Sequence, residues 1–175
     1  MGIIVLEINN RFHRSHNLIP LIMKNLILLA GLFLTSFVFA QDISFDNGTY
    51  TKNQVAYSGK HTLYYASGAI KEELNIKDGK LDGEVVKYFE NGQKMEVGQY
   101  ENNLKFGLWT RYNMTGTTIA EARYKNDKKD GTWMVYDDKG SKLFQMEYKD
   151  GEKVGTWTQW DETGAVIKTT DYASM

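Results

Sequence analysis

Glycine and aromatic residues recur at a fixed period in the chain after residue 58. One glycine series advances by 24 residues, and a second series follows each of its members by nine residues. The first series is Gly59, Gly83, Gly107, Gly131 and Gly155, and the second is Gly68, Gly92, Gly116, Gly140 and Gly164. No insertion breaks this register, and a fixed period of this kind is typical of repeat proteins. The sequence therefore predicts five copies of one 24-residue unit over residues 59–175.

Each unit has the pattern of two β-strands and two turns. Residues 83–89 are rich in strand formers, and Asn91-Gly92 after them indicates a two-residue hairpin turn. The returning strand, residues 93–100, ends at a second turn, where most copies carry residues that tolerate positive φ. These second turns are Asp78-Gly79, Asn102-Asn103, Asn126-Asp127 and Asp150-Gly151. The pattern predicts an all-β fold, an elongated antiparallel meander of ten strands in five repeated hairpins.

Aromatic residues occupy fixed columns in this array. Trp109, Trp133 and Trp157 stand two residues after a glycine of the first series, and a tyrosine or tryptophan stands five residues after it. Because these columns differ in parity along a strand, either each strand contains a bulge or both faces of the sheet are apolar. The tryptophan column is the candidate binding surface. Exposed indoles would form a flat ladder for sugar rings, a peptide strand or an apolar partner, whereas buried indoles would form the core.

Residues 1–40 differ from the rest of the chain. Their charged side chains are Glu7, Arg11, Arg14 and Lys24, and an uncharged apolar run over residues 26–40 ends in Val38-Phe39-Ala40. This pattern predicts a secretory signal peptide cleaved after Ala40, with Met23 as the true start of translation. The run is short for a transmembrane helix, which needs about 20 residues. Residues 41–58 lie off the 24-residue grid and are predicted to form an N-terminal capping strand. We expect an exported protein, which is periplasmic, associated with the cell envelope or extracellular.

The composition narrows the possible chemistry. The chain has 21 Lys and Arg, 22 Asp and Glu, and no Cys, which excludes disulfides, a zinc–cysteine site and a thiol nucleophile. The balanced charge disfavours nucleic-acid binding. His61 is the single histidine after residue 40, and its place in the tryptophan column indicates packing. Acidic residues lie mainly at turns without the order of a calcium loop, and lysines alternate with them, so no one-sided basic patch is expected. We therefore predict no catalytic residue, no metal and no cofactor.

The spacing of glycines and aromatics resembles the bacterial variant of the MORN repeat. The clearest copies are Gly131-Thr-Trp133-Met-Val-Tyr136-Asp-Asp-Lys-Gly140 and Gly155-Thr-Trp157-Thr-Gln-Trp160-Asp-Glu-Thr-Gly164. The resemblance covers residues 59–172, although His61 and Val85 replace the tryptophan in the first two copies. It implies a β-hairpin array that serves as an interaction or scaffolding module, and some such arrays are linked to membranes or lipids. Many similar bacterial proteins are labelled "YwqK-family antitoxin".

Three hypotheses for function follow. The first is an exported, non-enzymatic repeat protein that binds or scaffolds an unidentified protein partner. The second is an antitoxin-like or immunity-like protein that neutralises one toxin, although export fits poorly with neutralising a cytoplasmic toxin. The third is carbohydrate binding on the tryptophan column, and a lipid partner is a further possibility. Each hypothesis depends on which partner meets the repeats, and the sequence does not identify that partner.

Overall fold

The computed structural model describes residues 43–172. The predicted signal peptide, the start at Met23 and the cleavage after Ala40 lie outside this range. Three short strands precede the repeats: β1 (Ser44–Asp46), β2 (Thr49–Lys52) and β3 (Val55–Ala56). The repeats contain β4 (Gly59–Tyr64), β5 (Ile70–Lys77), β6 (Lys80–Tyr88), β7 (Lys94–Glu101), β8 (Leu104–Tyr112), β9 (Thr118–Lys125), β10 (Lys128–Tyr136), β11 (Lys142–Lys149), β12 (Glu152–Trp160) and β13 (Val166–Tyr172).

The strands form two antiparallel sheets. The order β1-β2-β3 makes a small N-terminal sheet, and β4 to β13 make a ten-stranded sheet in which every neighbour in space is a neighbour in sequence. The predicted all-β fold and the ten-stranded meander of hairpins are thus confirmed. In residues 43–172 there is no helix with the length and hydropathy needed to cross a membrane.

The turns that contain the second glycine series are three-residue loops. At the representative loop, the Gly92 amide donates to the Phe89 carbonyl at 2.9 Å, and the Phe89 amide donates to the Gln93 carbonyl at 2.8 Å. Gly92 has φ of 84°, whereas Asn91 is not among the residues with positive φ. The two-residue turn predicted from Asn91-Gly92 is therefore wrong. This geometry corresponds to a type I turn followed by one left-handed residue, a role that favours glycine.

The second turns are tighter and follow the prediction. Both central residues have positive φ in each case, for example Asn102 at 52° and Asn103 at 71°. This conformation is that of the two-residue hairpin turn whose twist matches the flanking strands, and asparagine, aspartate and glycine adopt it at the lowest cost. The side chain also supports the neighbouring hairpin, because Asn103 Oδ1 accepts a hydrogen bond of 2.7 Å from the Leu81 amide.

The strand register resolves the conflict between the aromatic columns. Val135 pairs with Phe144 and Tyr136 pairs with Lys142, so the ladder skips Leu143 as a bulge. Trp133, three residues before Tyr136, has the opposite parity and projects from the other face. Both alternatives left open by the sequence are therefore correct: each hairpin carries a bulge, and both faces bear aromatic side chains. A second irregularity surrounds Gly131, which has φ of 101°.

A cluster of buried aliphatic side chains lies at the N-terminal end of the ten-stranded sheet. Leu74, Ile76 and Val85 form a core that Tyr50 and Tyr57 pack against. The N-terminal sheet is held there by main-chain bonds, since the Tyr50 amide donates to the Gly79 carbonyl at 2.7 Å and the Gly79 amide donates to the Tyr57 carbonyl at 2.8 Å. Aromatic side chains therefore cover the aliphatic start of the repeat array.

Candidate functional site

The tryptophan column lies on one face of the ten-stranded sheet. Trp109 and Trp133 both pair with Ala122 of the strand between them, and Trp133 also pairs with Met146. Because cross-strand partners share a face, these residues form one row. We call this side of the sheet the tryptophan face and the other side the opposite face. Trp109 is only 4% exposed, whereas Trp133 and Trp157 are half-buried.

Each tryptophan lies against the strand that precedes it. The indole N–H groups donate to main-chain carbonyls ten residues earlier: Trp109 to Gln99 at 3.2 Å, Trp133 to Arg123 at 3.2 Å and Trp157 to Glu147 at 3.1 Å. Beneath Trp109 there is space only for glycine, because a Cβ on Gly98 would stand 2.1 Å from the indole Cδ2. The tryptophans thus join consecutive repeats. Their indole N–H groups need a hydrogen-bond partner when buried, and these carbonyls supply it.

Tyrosines alternate with the tryptophans to form a continuous ladder. Adjacent ring centroids are 4.7 to 6.2 Å apart, within the range of favourable aromatic pairs. Trp109 contacts Tyr100 edge-on at 5.1 Å, and Trp133 lies 5.4 Å from both Tyr124 and Tyr148. The ladder runs in the order Tyr100, Trp109, Tyr124, Trp133, Tyr148, Trp157 and Tyr172.

A lysine from each of the last three repeats lies over this ladder. The Lys105 Nζ is 4.1 Å from the ring centroid of Trp109, the Lys129 Nζ is 3.9 Å from that of Trp133, and the Lys153 Nζ is 4.7 Å from that of Trp157. Each ammonium also lies 4.6 to 5.2 Å from the next tyrosine ring. Such contacts are worth about 0.5–1 kcal/mol each at exposed sites, so they hold the lysine heads in place above the rings.

In the last three repeats, the carboxylates at paired strand positions are confined to one face of the sheet. Cross-strand pairing places Glu121, Glu147 and Asp171 on the opposite face, since they pair with Thr110, Thr132 and Thr156. The paired positions of the tryptophan face from β8 to β13 carry basic side chains and no carboxylate. These basic residues are Lys105, Arg111, Lys129, Lys153 and Lys168. The expectation of a charge mixed in sign is therefore wrong for the tryptophan face between β8 and β13, because alternation along a strand sorts neighbouring residues onto two faces; the opposite face carries both signs.

Two of the hollows on the tryptophan face lie beside the tryptophans. One, of about 160 Å³, lies over Ala120 and Ala122 and is bounded by Trp109, Trp133 and Val135. The other, of about 300 Å³, is lined by Phe144, Met146, Trp157 and Tyr172 among others. The first exists because Ala120 stands between Arg111 and Val135, where other repeats have a larger side chain. Each hollow has room for the end of an apolar side chain.

The opposite face contains tyrosine–carboxylate pairs. The Tyr88 hydroxyl donates to Glu73 Oε2 at 2.6 Å, and this bond, with burial, raises the pKa of Tyr88 to about 12. Tyr136 makes the corresponding bond to Glu121 at 2.9 Å, and burial together with that bond raises its pKa. A carboxylate that accepts from a phenol stabilises the neutral phenol, so both pairs favour the folded sheet near neutral pH.

Side chains that could hold a metal ion are dispersed over the described residues. Within residues 43–172, no cluster of three or more His, Cys, Asp or Glu side chains is placed to bind a metal ion. His61 is half-buried beside Tyr50, with ring centroids 6.2 Å apart.

Sequence reasoning missed the lysines as members of the candidate surface. Trp109, Trp133 and Trp157 were identified from their period, but Lys105, Lys129 and Lys153 recur at the same 24-residue period, two residues before the glycine. Their period and their spacing of four residues from each tryptophan were visible, and what was missing was the irregular register around the glycine, which brings each lysine close to its tryptophan along the sheet. Arg111 and the small residues Ala120 and Ala122 have no periodic signal of their own.

Comparison with known families agrees with the repeat geometry. Residues 57–78, 81–102 and 129–150 match the family model described as a MORN repeat variant. These matches support a MORN-repeat protein, and the remaining copies keep the same spacing of glycines and the same hairpins. No curated protein matches the chain.

Proposed function

We propose that this protein is a binding or scaffolding module that recognises another protein through its tryptophan face. The observation that supports the proposal is the ladder of tryptophan, tyrosine and lysine across β8 to β13. The ladder combines aromatic side chains with lysine ammonium groups that are held over them. The centres of protein–protein interfaces are enriched in aromatic residues. Apolar side chains on the same face are open to solvent, as Phe144 is 37% exposed.

Export forms part of the proposal. The apolar segment over residues 26–40 and the small residues around Ala40 support a module that works in the periplasm, at the envelope or outside the cell. Amino-terminal sequencing of the protein recovered from envelope and culture fractions tests this point. We expect a mature chain that begins at Gln41. A cytoplasmic protein that begins at Met1 or Met23 would contradict export without affecting the binding surface.

The carbohydrate alternative is less favoured by the geometry. The backbone of Gly98 lies against one side of the Trp109 ring, so the Lys105 ammonium at 4.1 Å occupies the other. A sugar ring stacks on an open aromatic face, and here it would first have to displace the lysine.

The antitoxin alternative is the special case in which the partner is a toxin. The observation that would distinguish it is toxicity to the cell when the protein is lost.

The experiment that tests protein binding uses two matched substitutions. Phe144→Ser alters the tryptophan face, and Leu108→Ser alters the opposite face at a residue of similar exposure, 40% against 37%. The protein carries a C-terminal tag and captures partners from envelope and culture fractions, which are identified by mass spectrometry. We expect a partner that is lost with Phe144→Ser and retained with Leu108→Ser. A partner retained by the first variant and lost by the second would refute the assignment of the face.

A further inference from the structure

We infer that the tryptophan face between β8 and β13 binds an acidic, extended segment of the partner protein, with carboxylates placed on Lys105, Lys129 and Lys153. This inference rests on the proposed function and specifies the chemistry of the partner.

The three ammonium groups are held in place but are not neutralised within the described residues. Each lies within 3.9 to 4.7 Å of a tryptophan ring centroid. The ion pairs in residues 43–172 involve other residues: Glu96 pairs with Lys87 and Arg111, and Asp130 pairs with Lys149. An ammonium over an aromatic ring keeps its hydrogen-bond donors, because a ring offers no lone pair. Lys105, Lys129 and Lys153 therefore retain donors for an external carboxylate.

The sign of the charge selects an anionic partner. The carboxylates at the paired positions of β8 to β13 lie on the opposite face. On the tryptophan face, Glu96 of the neighbouring β7 is paired with Arg111, and the five basic side chains from β8 to β13 leave an excess of positive charge. A patch of one sign attracts partners of the other sign and raises their rate of association. The aromatic surface beneath the lysines excludes water from one side, which strengthens each carboxylate–ammonium contact relative to a fully hydrated pair.

The spacing of the lysines selects an extended peptide. Equivalent residues of consecutive repeats are two strands apart, about 9.6 Å at the usual strand separation. A polyproline II segment advances about 9.3 Å in three residues, and one face of it repeats with that period. A segment that crosses the strands can thus place an Asp or Glu on each lysine when acidic residues occur at every third position. The hollow over Ala120 and Ala122 lies beside Lys105, with Glu96 and Arg111 at its edge, and its alanine floor has room for an intervening apolar side chain.

The test compares two peptides of identical composition. One is a nine-residue peptide of Glu, Pro and Ala with Glu at positions one, four and seven, and the other has its three Glu residues in succession. Binding to the full-length protein is measured by titration calorimetry at low salt and at physiological salt. We expect the spaced peptide to bind about tenfold more tightly than the clustered peptide, with an affinity that falls as salt rises.

Neighbouring lysines supply the matched control. Lys129→Glu reverses a charge on the tryptophan face, whereas Lys128→Glu makes the same change on the opposite face, one residue away. We expect about a tenfold loss of affinity for the spaced peptide with Lys129→Glu and less than about a twofold change with Lys128→Glu. Lys129→Met keeps the apolar stem and serves as a second variant, for which we expect a smaller loss in the same direction. Circular dichroism confirms that each variant retains its sheet.

Four results would overturn the inference. Equal binding of the two peptides would refute the spacing, and equal effects of Lys128→Glu and Lys129→Glu would refute the face. Binding of polygalacturonate, or of vesicles of phosphatidylglycerol, that depends on Lys129 while neither peptide binds would identify an acidic glycan or a membrane instead. If Phe144→Ser abolishes partner capture but no acidic peptide binds, the tryptophan face still binds a protein and the inferred chemistry is wrong.

Discussion

Gly98 allows Trp109 to lie flat on the sheet, and replacing it by alanine should be costly. A Cβ at this position would stand 2.1, 2.3 and 2.5 Å from three carbons of the indole, well inside ordinary contact. The ring must move outward, and it then loses its hydrogen bond of 3.2 Å to the Gln99 carbonyl. Overpacking typically costs about 1–3 kcal/mol. Adding a lost hydrogen bond of about 0.5–1.5 kcal/mol gives an expected destabilisation of about 2–4 kcal/mol.

The assay is urea unfolding followed by tryptophan fluorescence. Trp109 is the most buried of the three column tryptophans, so we expect Gly98→Ala to lower the unfolding midpoint and shift the native emission to the red. Trp109→Val gives the matched background, because Val85 occupies the equivalent position one repeat earlier. In that background the clash is absent, and alanine should be neutral or stabilising by about 0.5–1 kcal/mol, since glycine is unfavourable in a strand. An equal cost in both backgrounds would refute the steric explanation.

Three further predictions concern the turns, the bulges and the opposite face. Asn103→Asp keeps the acceptor for the Leu81 amide but loses the 3.0 Å bond to the Gly48 carbonyl, so amide exchange over residues 44–56 should accelerate while the repeats stay protected. Gly131→Ala, at φ of 101° and with Arg123 Cδ 3.1 Å from the new Cβ, should cost about 1–2 kcal/mol in urea unfolding. Glu73→Gln should lower the pKa of Tyr88 from about 12 toward 10, as read by absorbance at 295 nm against Tyr88→Phe.

The Tyr88 pair also fixes the direction of the alkaline stability profile. The pKa of Tyr88 is raised in the folded protein, chiefly by its bond to Glu73, so the unfolded chain ionises first. The stability from this pair is complete below about pH 10, the ordinary value for tyrosine, and is lost as the pH rises toward 12. In Glu73→Gln this loss should be smaller. If the free energy of unfolding falls equally for the wild-type protein and for Glu73→Gln between pH 10 and pH 12, the pairing is contradicted.

The repeated features were predictable because local chemistry determines them. Pairs such as Asn102-Asn103 tolerate the left-handed conformation by themselves, so the position of the second turns follows from residue type alone. The turn at Asn91-Gly92 was misread because the same dipeptide also fits a three-residue loop. The hydrogen bond between the Phe89 amide and the Gln93 carbonyl decides between the two, and it depends on the register of the strands.

The candidate surface was only half predictable for a related reason. The period and the residue type identify the tryptophans in the sequence. The role of Lys129, in contrast, depends on the register irregularity around Gly131. Strand alternation alone places Lys129 on the face of Trp133, and the irregularity brings the two side chains to positions only two residues apart along β9, where the ammonium reaches the ring. Strand register depends on the partner strand, so it cannot be predicted from a short segment of the sequence alone.

The hydrogen bonds of the indole groups all point in one direction along the chain. Each tryptophan of the column bonds to the repeat before its own, as Trp133 does through the Arg123 carbonyl, so the second, third and fourth repeats gain this bond only once the following repeat is present. A chain that emerges gradually, from a ribosome or through a membrane channel, can therefore lock its hairpins in order of appearance. The final strand, β13, is the last strand of the described sheet and has no following tryptophan. Mechanical unravelling should accordingly begin at that end and proceed one hairpin at a time.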